Sequence, residues 1–305
     1  MIEGKARMKP IGIGAIEIQR VGDVDCQRVD PHQLYSNLTP ELVAQQRDAL
    51  GPSLMAPDNG DLLLSYHSYV VRTRHHTIVV DTCLGNHKER PTAPAWHRLD
   101  TPYLARLEQA GVRPQDVDVV LCTHLHADHV GWNTRLDNGR WVPTFPNARY
   151  LIAQSEFAHY DALHSARPAA PVNRGSFEDS VLPVVQAGIA DLVPASHRIE
   201  LEPEGGVWLE PAPGHTPGNV NIVVRGGGRD AILCGDVIHH PIQLALPWLE
   251  LPADFDRDQA SATRRALLER CADTDIVLLT GHFPDPTSGR LRRAGDAFRF
   301  AFDAR

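Results

Sequence analysis

Cysteine is scarce in this chain and carries no pattern. Five occur in 305 residues, at Cys26, Cys83, Cys122, Cys234 and Cys271. No two share a spacing that would frame a set of disulfides or a Cys-based metal site. Cys122 and Cys234 lie in apolar runs and read as buried free thiols. No run of about 18 apolar residues exists to span a bilayer. The basic amino terminus leads into no long apolar stretch, so a secretory leader is not expected. Positive charge is in deficit: the formal balance is −8, which argues against a general nucleic-acid surface while leaving room for a local basic patch. Repeats of about 20 to 50 residues are absent, as is a Gly-x-Ser-x-Gly elbow for a serine nucleophile. A soluble protein of a reducing compartment is the simplest expectation, with a cytoplasmic location and neither nucleic acid nor membrane as partner.

What is present is a 42% hydrophobic fraction, enough for a substantial core, and one dense stretch of metal-binding side chains. Thr123-His124-Leu125-His126-Ala127-Asp128-His129-Val130-Gly131 follows the apolar run Val117–Cys122, which reads as a buried strand. Three imidazoles and a carboxylate therefore sit at a strand end. Imidazole and carboxylate suit zinc and neighbouring divalent metals. His124 and His126 point the same way from an extended chain. Asp128 and His129 lie past a bend, where they can serve a second metal, and Gly131 lets the chain turn. The plain alternative is coincidence in a chain with 16 histidines; three of them with an aspartate inside six residues is too dense for that. A structural zinc site fills its four positions with Cys and His, and no Cys here is a candidate ligand.

The order His-x-His-x-Asp-His after a strand resembles the metallo-β-lactamase superfamily. The family's further motifs follow in sequence: Pro213-Gly214-His215-Thr216-Pro217-Gly218, then Leu233-Cys234-Gly235-Asp236, then Leu279-Thr280-Gly281-His282. Val79-Val80-Asp81-Thr82 is similar to its first acidic turn. The resemblance spans about residues 60 to 300, an ordinary domain length. It implies an α/β (α+β) fold, a four-layer αββα sandwich of two sheets covered by helices. By the same resemblance His124, His126 and His215 bind one metal, Asp128, His129 and His282 bind the other, and Asp236 bridges them. Two divalent ions are implied, zinc first, with manganese, iron or cobalt tolerated by these ligands. The implied chemistry is attack by a metal-bound hydroxide on an ester, lactone or phosphotriester, with Asp128, Asp236 and His239 as the expected catalytic residues and a small molecule as the substrate.

Departures narrow the resemblance. Asp236 stands where one β-lactamase class has a Cys ligand. The acyl-homoserine lactonases carry Tyr three positions after the bridging Asp; here the segment is Asp236-Val237-Ile238-His239-His240, closer in motif to the methyl parathion hydrolase and lactonase-like group. His239 could assist the leaving group, with an outer or packing role as the alternative; His240 has the weaker claim. Other readings are a β-lactamase, a glyoxalase II-like thioesterase, a nuclease (weakened by the acidic balance), and a non-catalytic metal-containing binding protein.

One domain is expected over residues 1–305, with residues 1–60 as an extension packed on it. That segment is too long for a connector; it is expected to lie beside the site or to form a subunit contact, as in a homodimer, against the plain alternative of a structural extension. The alternation of Ile11, Ile13, Ile16 and Ile18 predicts one strand over 11–20. Thr39-Pro40-Glu41 opens a helix that Gly51-Pro52 ends. Strands follow at 62–71 and 77–80 around a turn, Arg74-His75-His76, whose histidines are expected in solvent; His67 is more simply a packed residue than a ligand. A helix runs from Thr101-Pro102 to Gly111, a strand covers 150–153, and a helix begins at Ser155. Residues 167–176 read as a loop, which in the family lies over the metals. Residues 177–188 read as a helix interrupted by Pro183. Strands are expected at 197–201, 207–210, 219–224, 231–233 and 275–279. Asp256 caps a helix to Cys271, and a hairpin spans 291–302 with Phe298, Phe300 and Phe302 on one face. Trp96, Trp132, Phe157 and Trp248 are candidate cavity walls, each with ordinary core packing as the alternative.

Overall fold

Runs such as Ile78-Val79-Val80 and Val119–Leu121 are apolar at every position because both faces of their sheet are covered. The computed structural model describes residues 9–202 and 205–303. Its strands are β1 (Ile11–Ile13), β2 (Ile16–Val29), β3 (Leu62–Arg72), β4 (Thr77–Val80), β5 (Val119–Leu121), a separate hairpin of β6 (Thr134–Asp137) and β7 (Arg140–Pro143), β8 (Arg149–Ala153) and β9 (Ala190–Val193). The second half adds β10 (Arg198–Glu202), β11 (Gly205–Pro211), β12 (Val220–Gly226), β13 (Arg229–Leu233), β14 (Val277–Leu279), β15 (Ser288–Ala294) and β16 (Ala297–Phe302). Two seven-stranded sheets result, in the orders β1-β2-β3-β4-β5-β8-β9 and β10 through β16.

The period-2 geometry of these strands sorts their side chains into layers. Tyr69, Val71, Ile78, Val80 and Leu121 of the first sheet meet Val207, Leu209, Ile222, Val224 and Leu233 of the second in one core. Their alternates face outward. Val70, Val79, Val120 and Ile152 pack under the helices Tyr103–Gln109, Gln154–Ala166 and Leu182–Gln186. Val223, Ile232 and Leu278 pack under the helix Arg257–Cys271, which starts where the Asp256 carboxylate accepts from Gln259 N–H. The order is helix, sheet, sheet, helix: the αββα architecture. Each fully buried Val, Leu or Ile contributes about 1.5–3 kcal/mol, so these layers fix the register of every strand that ends at the site.

Residues 9–60 join this frame at two places. β1 and β2 extend the first sheet through β3. The helix Pro40–Leu50, capped by the Thr39 hydroxyl, packs Val43 and Leu50 with Tyr35 and Met55 against Ile242, Leu249 and Leu251 of the segment that follows Asp236. Asn37 ties the two segments, donating to Trp248 O (3.2 Å) and accepting from Glu250 N–H (3.0 Å).

Several expectations are corrected. The strand over 11–20 breaks at Gly14-Ala15, and its second part continues to Val29. Gly14 has φ +61°, and a Cβ there would meet the backbone of Gly226–Gly227 at 2.5 Å, so the chain must turn with glycine. Residues 177–188 hold a π-type turn over Phe177–Val181 and then the helix Leu182–Gln186; Pro183 sits in that helix's first turn rather than interrupting it. The hairpin β6–β7 and the edge strand β9 carry no clean apolar alternation and left no periodic trace. His76 is half-buried and bonded to Glu200 at 2.7 Å rather than free in solvent. His67 is packed, with its ring nitrogens on Ser65 Oγ (2.9 Å) and Thr280 O (3.0 Å).

Candidate metal centre

The site forms where strand ends from both sheets converge, the usual place for ligands in such sheets. After β5 the chain presents His124 and His126, then a short helical turn, Ala127–Val130, carrying Asp128 and His129. His215 comes from the loop between β11 and β12, Asp236 from the turn after β13, and His282 from the segment after β14. Gly131 has ordinary helical backbone angles, φ −57° and ψ −49°. It is needed for room: a Cβ there would lie 1.9 Å from Leu84 O.

Two groups of ligand atoms result, each within 4.8 Å: His124, His126, His215 and Asp236; and Asp128, His129, Asp236 and His282. Asp236 divides its oxygens between them. Oδ2 lies 3.2 Å from His215 Nε2 and 3.6 Å from His124 Nε2. Oδ1 lies 2.9 Å from His282 Nε2 and 3.1 Å from His129 Nε2. Asp128 Oδ2 stands 3.6 Å from His282 Nε2 and 3.8 Å from His129 Nε2. The structure thus brings together all seven side chains singled out in the sequence as metal ligands.

The donor set fits divalent cations. His124 Nε2 is buried and makes no hydrogen bond, and imidazole nitrogens face one another across 2.9 Å (His215 and His126) and 3.2 Å (His129 and His282). Buried polar atoms of one kind do not converge this way without a shared partner. Four of the five histidines have the outer nitrogen anchored: His129 Nδ1 to Asp81 at 2.8 Å, His215 Nδ1 to Asp254 at 2.8 Å, His282 Nδ1 to Ser65 O at 3.1 Å, and His124 Nδ1 to Thr123 Oγ1 at 3.1 Å. Such partners fix ring orientation and turn the inner lone pair to the centre. Burial, then neighbouring imidazoles, pushes the His124 and His126 pKa values well below the ordinary value, leaving neutral donors. Burial opposes protonation of His215 too, but Asp236 and Asp254 outweigh it and raise that ring to about 9. Cations bound there would compete with protons for these nitrogens.

His239 lies beside this centre, its Nε2 3.0 Å from Asp236 Oδ2 and its Nδ1 buried without a partner. His240 turns away, bonded to Leu54 O at 2.9 Å and to Ile242 N–H at 3.2 Å; burial lowers its pKa to about 4.

A cavity of about 450 Å³ opens over the ligands, walled by Val29, Leu34, Leu64, Tyr66, Trp96 and Leu251. Of the four aromatic candidates only Trp96 lines it. Trp132 is buried behind the first sheet, stacked on Tyr103 with ring centroids 5.3 Å apart. It follows the helical turn that carries Asp128 and His129 and points back into the helix-covered core. Phe157 packs on Phe177, and Trp248 is an exposed surface side chain. Arg174, Tyr66, Asp254 and Glu156 were not legible as site residues, since each comes from a segment without motif spacing. Glu156, from the helix Gln154–Ala166, accepts Leu125 N–H and Gly218 N–H, both at 2.9 Å. It braces the two loops that carry His124–His129 and His215. Among the described residues no helix is long and apolar enough to cross a membrane.

The family model of the metallo-β-lactamase superfamily matches residues 63–282. The probable metallo-hydrolase Rv2300c of Mycobacterium tuberculosis is 26% identical over 252 residues, 73% of this chain and 76% of that protein. The N-acyl homoserine lactonase AttM of Azorhizobium caulinodans is 26% identical over 234 residues, covering 71% and 80%. Among solved structures, the hydrolase AbOPH, described as in the β-lactamase superfamily, superposes with a TM-score of 0.79 at 19% identity over 99% of both chains. AidC, a dizinc quorum-quenching lactonase, superposes with a TM-score of 0.77 at 21% identity over 98% of both.

Proposed function

We propose, from the premise that the chain belongs to the metallo-β-lactamase superfamily and is one of its hydrolases, that it cleaves a small ester or lactone, with phosphotriesters next, at a centre of two divalent cations. The observation that carries this reading is the pair of four-ligand groups sharing Asp236 at the floor of an apolar-walled cavity. Bound there, two cations, zinc ahead of manganese, iron or cobalt, would supply an activated water and polarise the substrate's carbonyl or phosphoryl oxygen. His124, His126 and His215 would hold one, Asp128, His129 and His282 the other, with one oxygen of Asp236 turned to each.

The remaining work falls to the chain itself. Asp81, Asp254, Thr123 and Ser65 keep the ligand rings from rotating. Trp96, Leu34, Leu64 and Leu251 exclude water from the acyl or alkyl side of a substrate. His239, within reach of Asp236, holds a proton where a leaving alkoxide would take it. The lactone preference draws on relatives named as lactonases; His239, three positions after Asp236, keeps simple and phosphate esters in the substrate range. A cytoplasmic location goes with this reading.

The test pairs metal analysis of protein purified without added metal with a rate panel of aryl esters, lactones, phosphotriesters, thioesters and β-lactams. Close to two cations per chain and metal-dependent turnover of an ester or lactone are expected. Strong β-lactam turnover without ester, lactone or phosphotriester activity would overturn the ranking. Full metal loading with no turnover at all would favour a binding protein on a hydrolase scaffold.

A further inference from the structure

The cavity holds one Lys or Arg among the described residues that line it, Arg174, and two carboxylates, Asp128 and Asp236, both committed to the ligand groups. No carboxylate among the described residues pairs with Arg174. Its Nη1 donates to Thr92 Oγ1 (3.2 Å) and Thr92 O (3.4 Å), and the guanidinium lies 5.4 Å from the centre of the Trp96 ring. These contacts use one corner of the group. The Nε–Nη2 edge, the side that matches a two-oxygen anion, has no acceptor among the described residues.

The backbone that delivers Arg174 is held in an unfavoured shape. Asn173 and Arg174 are consecutive non-glycine residues in the left-handed region, φ 49° and 58°. Such residues cost roughly 1–3 kcal/mol each and persist where their surroundings enforce them. Here the surroundings do. Asn173 Nδ2 donates to Leu125 O, inside the metal-binding loop. Arg90, almost fully buried, donates to Arg174 O at 3.2 Å and grips Asp179 with two bonds of 2.6 and 2.9 Å. Arg174 is itself exposed at the cavity mouth, and an arginine with no task there needs no such frame. The frame fixes a guanidinium on an aromatic face, over a cavity whose own acids are occupied.

We propose that Arg174 binds a carboxylate borne by the substrate, so that the preferred substrates are esters or lactones carrying an anionic carboxylate away from the bond to be cleaved. This rests on the hydrolase reading above and adds to it the charge of the substrate. The recognition is side-on, with two N–H donors to two oxygens, and it belongs to binding rather than to bond cleavage.

The experiment uses a matched pair of probes, mono-4-nitrophenyl adipate and its neutral methyl ester, with the metal-loaded full chain. Wild type is expected to favour the acid by about tenfold or more in kcat/KM, chiefly through KM, and to lose part of that preference at high salt. Arg174→Ala should bring the acid-to-ester ratio to about one, and Arg174→Lys should keep only part of it. A merely structural role would lower both rates and leave the ratio alone, and that result would overturn the proposal. Affinity for adipic acid monoanilide and its methyl ester, measured by calorimetry on the same proteins, gives a readout that needs no turnover. Failure of both aryl esters to react would count against the hydrolase reading. Equal affinity of wild type for the two anilides, or an acid preference that survives in Arg174→Ala, would count against the carboxylate site.

Discussion

The floor and the rim of the cavity face the same space and are held by opposite means. On the floor, the anchored histidines have one ring nitrogen fixed to a second residue, and the whole set hangs from the ends of packed strands. On the rim, Trp96 is tied through a 3.2 Å bond to Gln27, and Arg174 through Thr92, all from loops, a short 3-10 turn or the far end of β2. Rigid sheet ends suit a reaction that tolerates little misplacement. Loop side chains can change identity at small cost to the core. The chemistry is therefore written into the floor and the choice of substrate into the rim.

The largest expected effect lies at the centre of the floor. Asp236→Ala removes the ligand common to both groups, and kcat/KM should fall on the order of 10³-fold or more while the far-ultraviolet dichroism is kept. Near-native turnover by a fully metallated variant would end its bridging role and blur the contrast. His239→Phe should lower kcat by about 10²-fold with little change in KM; a loss under about threefold would move His239 from floor to rim. Asp254→Ala frees the outer nitrogen of His215, so metal affinity, read by chelator competition, should drop about 10–100-fold. An unchanged affinity would show that the orientation of that ring is set elsewhere. Trp96→Ala should raise KM about three- to tenfold and leave kcat nearly intact, the signature of a wall.

The smallest effect concerns the support beneath the rim. Lys88 is buried, bonded to Thr134 Oγ1 (2.6 Å) and Asp179 O (3.1 Å) and set 3.6 Å over the Trp141 ring. Burial pulls its pKa down to about 7 against the pull of Asp179. Between about 7 and the ordinary lysine value near 10.4 the unfolded chain carries a proton that the folded chain lacks. Stability should therefore rise with pH across that window and lose this dependence below it. In Lys88→Met the rise should flatten, as followed by urea unfolding at stepped pH; an unaltered slope would place the titrating group elsewhere.

How much of this was legible follows the same divide. His124, His126, Asp128 and His129 announce themselves because one strand end delivers them within six residues. Asp236 and His282 announce themselves because apolar runs with short glycine turns precede them. The sandwich was legible for the same reason, since its central strands are apolar on both faces. The rim was not. Arg174 and Tyr66 reach the cavity from loop 173–175 and from β3, segments far apart in sequence that meet only through the folding of the first sheet and its helices. Asp254 and Glu156 act through bonds to residues 31 to 62 positions away, a relation no local spacing encodes. Trp132, which looked like a wall from its position beside the motif, was turned inward by the helical turn that carries Asp128 and His129.

The division of the ligands between the sheets has a mechanical meaning. Each four-atom group takes two residues from the loop after β5 and two from the second sheet's loops. Neither half of the chain can complete a coordination sphere alone. A cation seated there acts as a rivet through the sandwich, pinning the layers at one end while the apolar core glues them along their length. At a hundredfold excess over its dissociation constant, a ligand of the folded state alone adds about 2.7 kcal/mol of stability. If the proposed cations sit there, stripping them would withdraw a fastener as well as a catalyst, and would weaken the seam between the sheets.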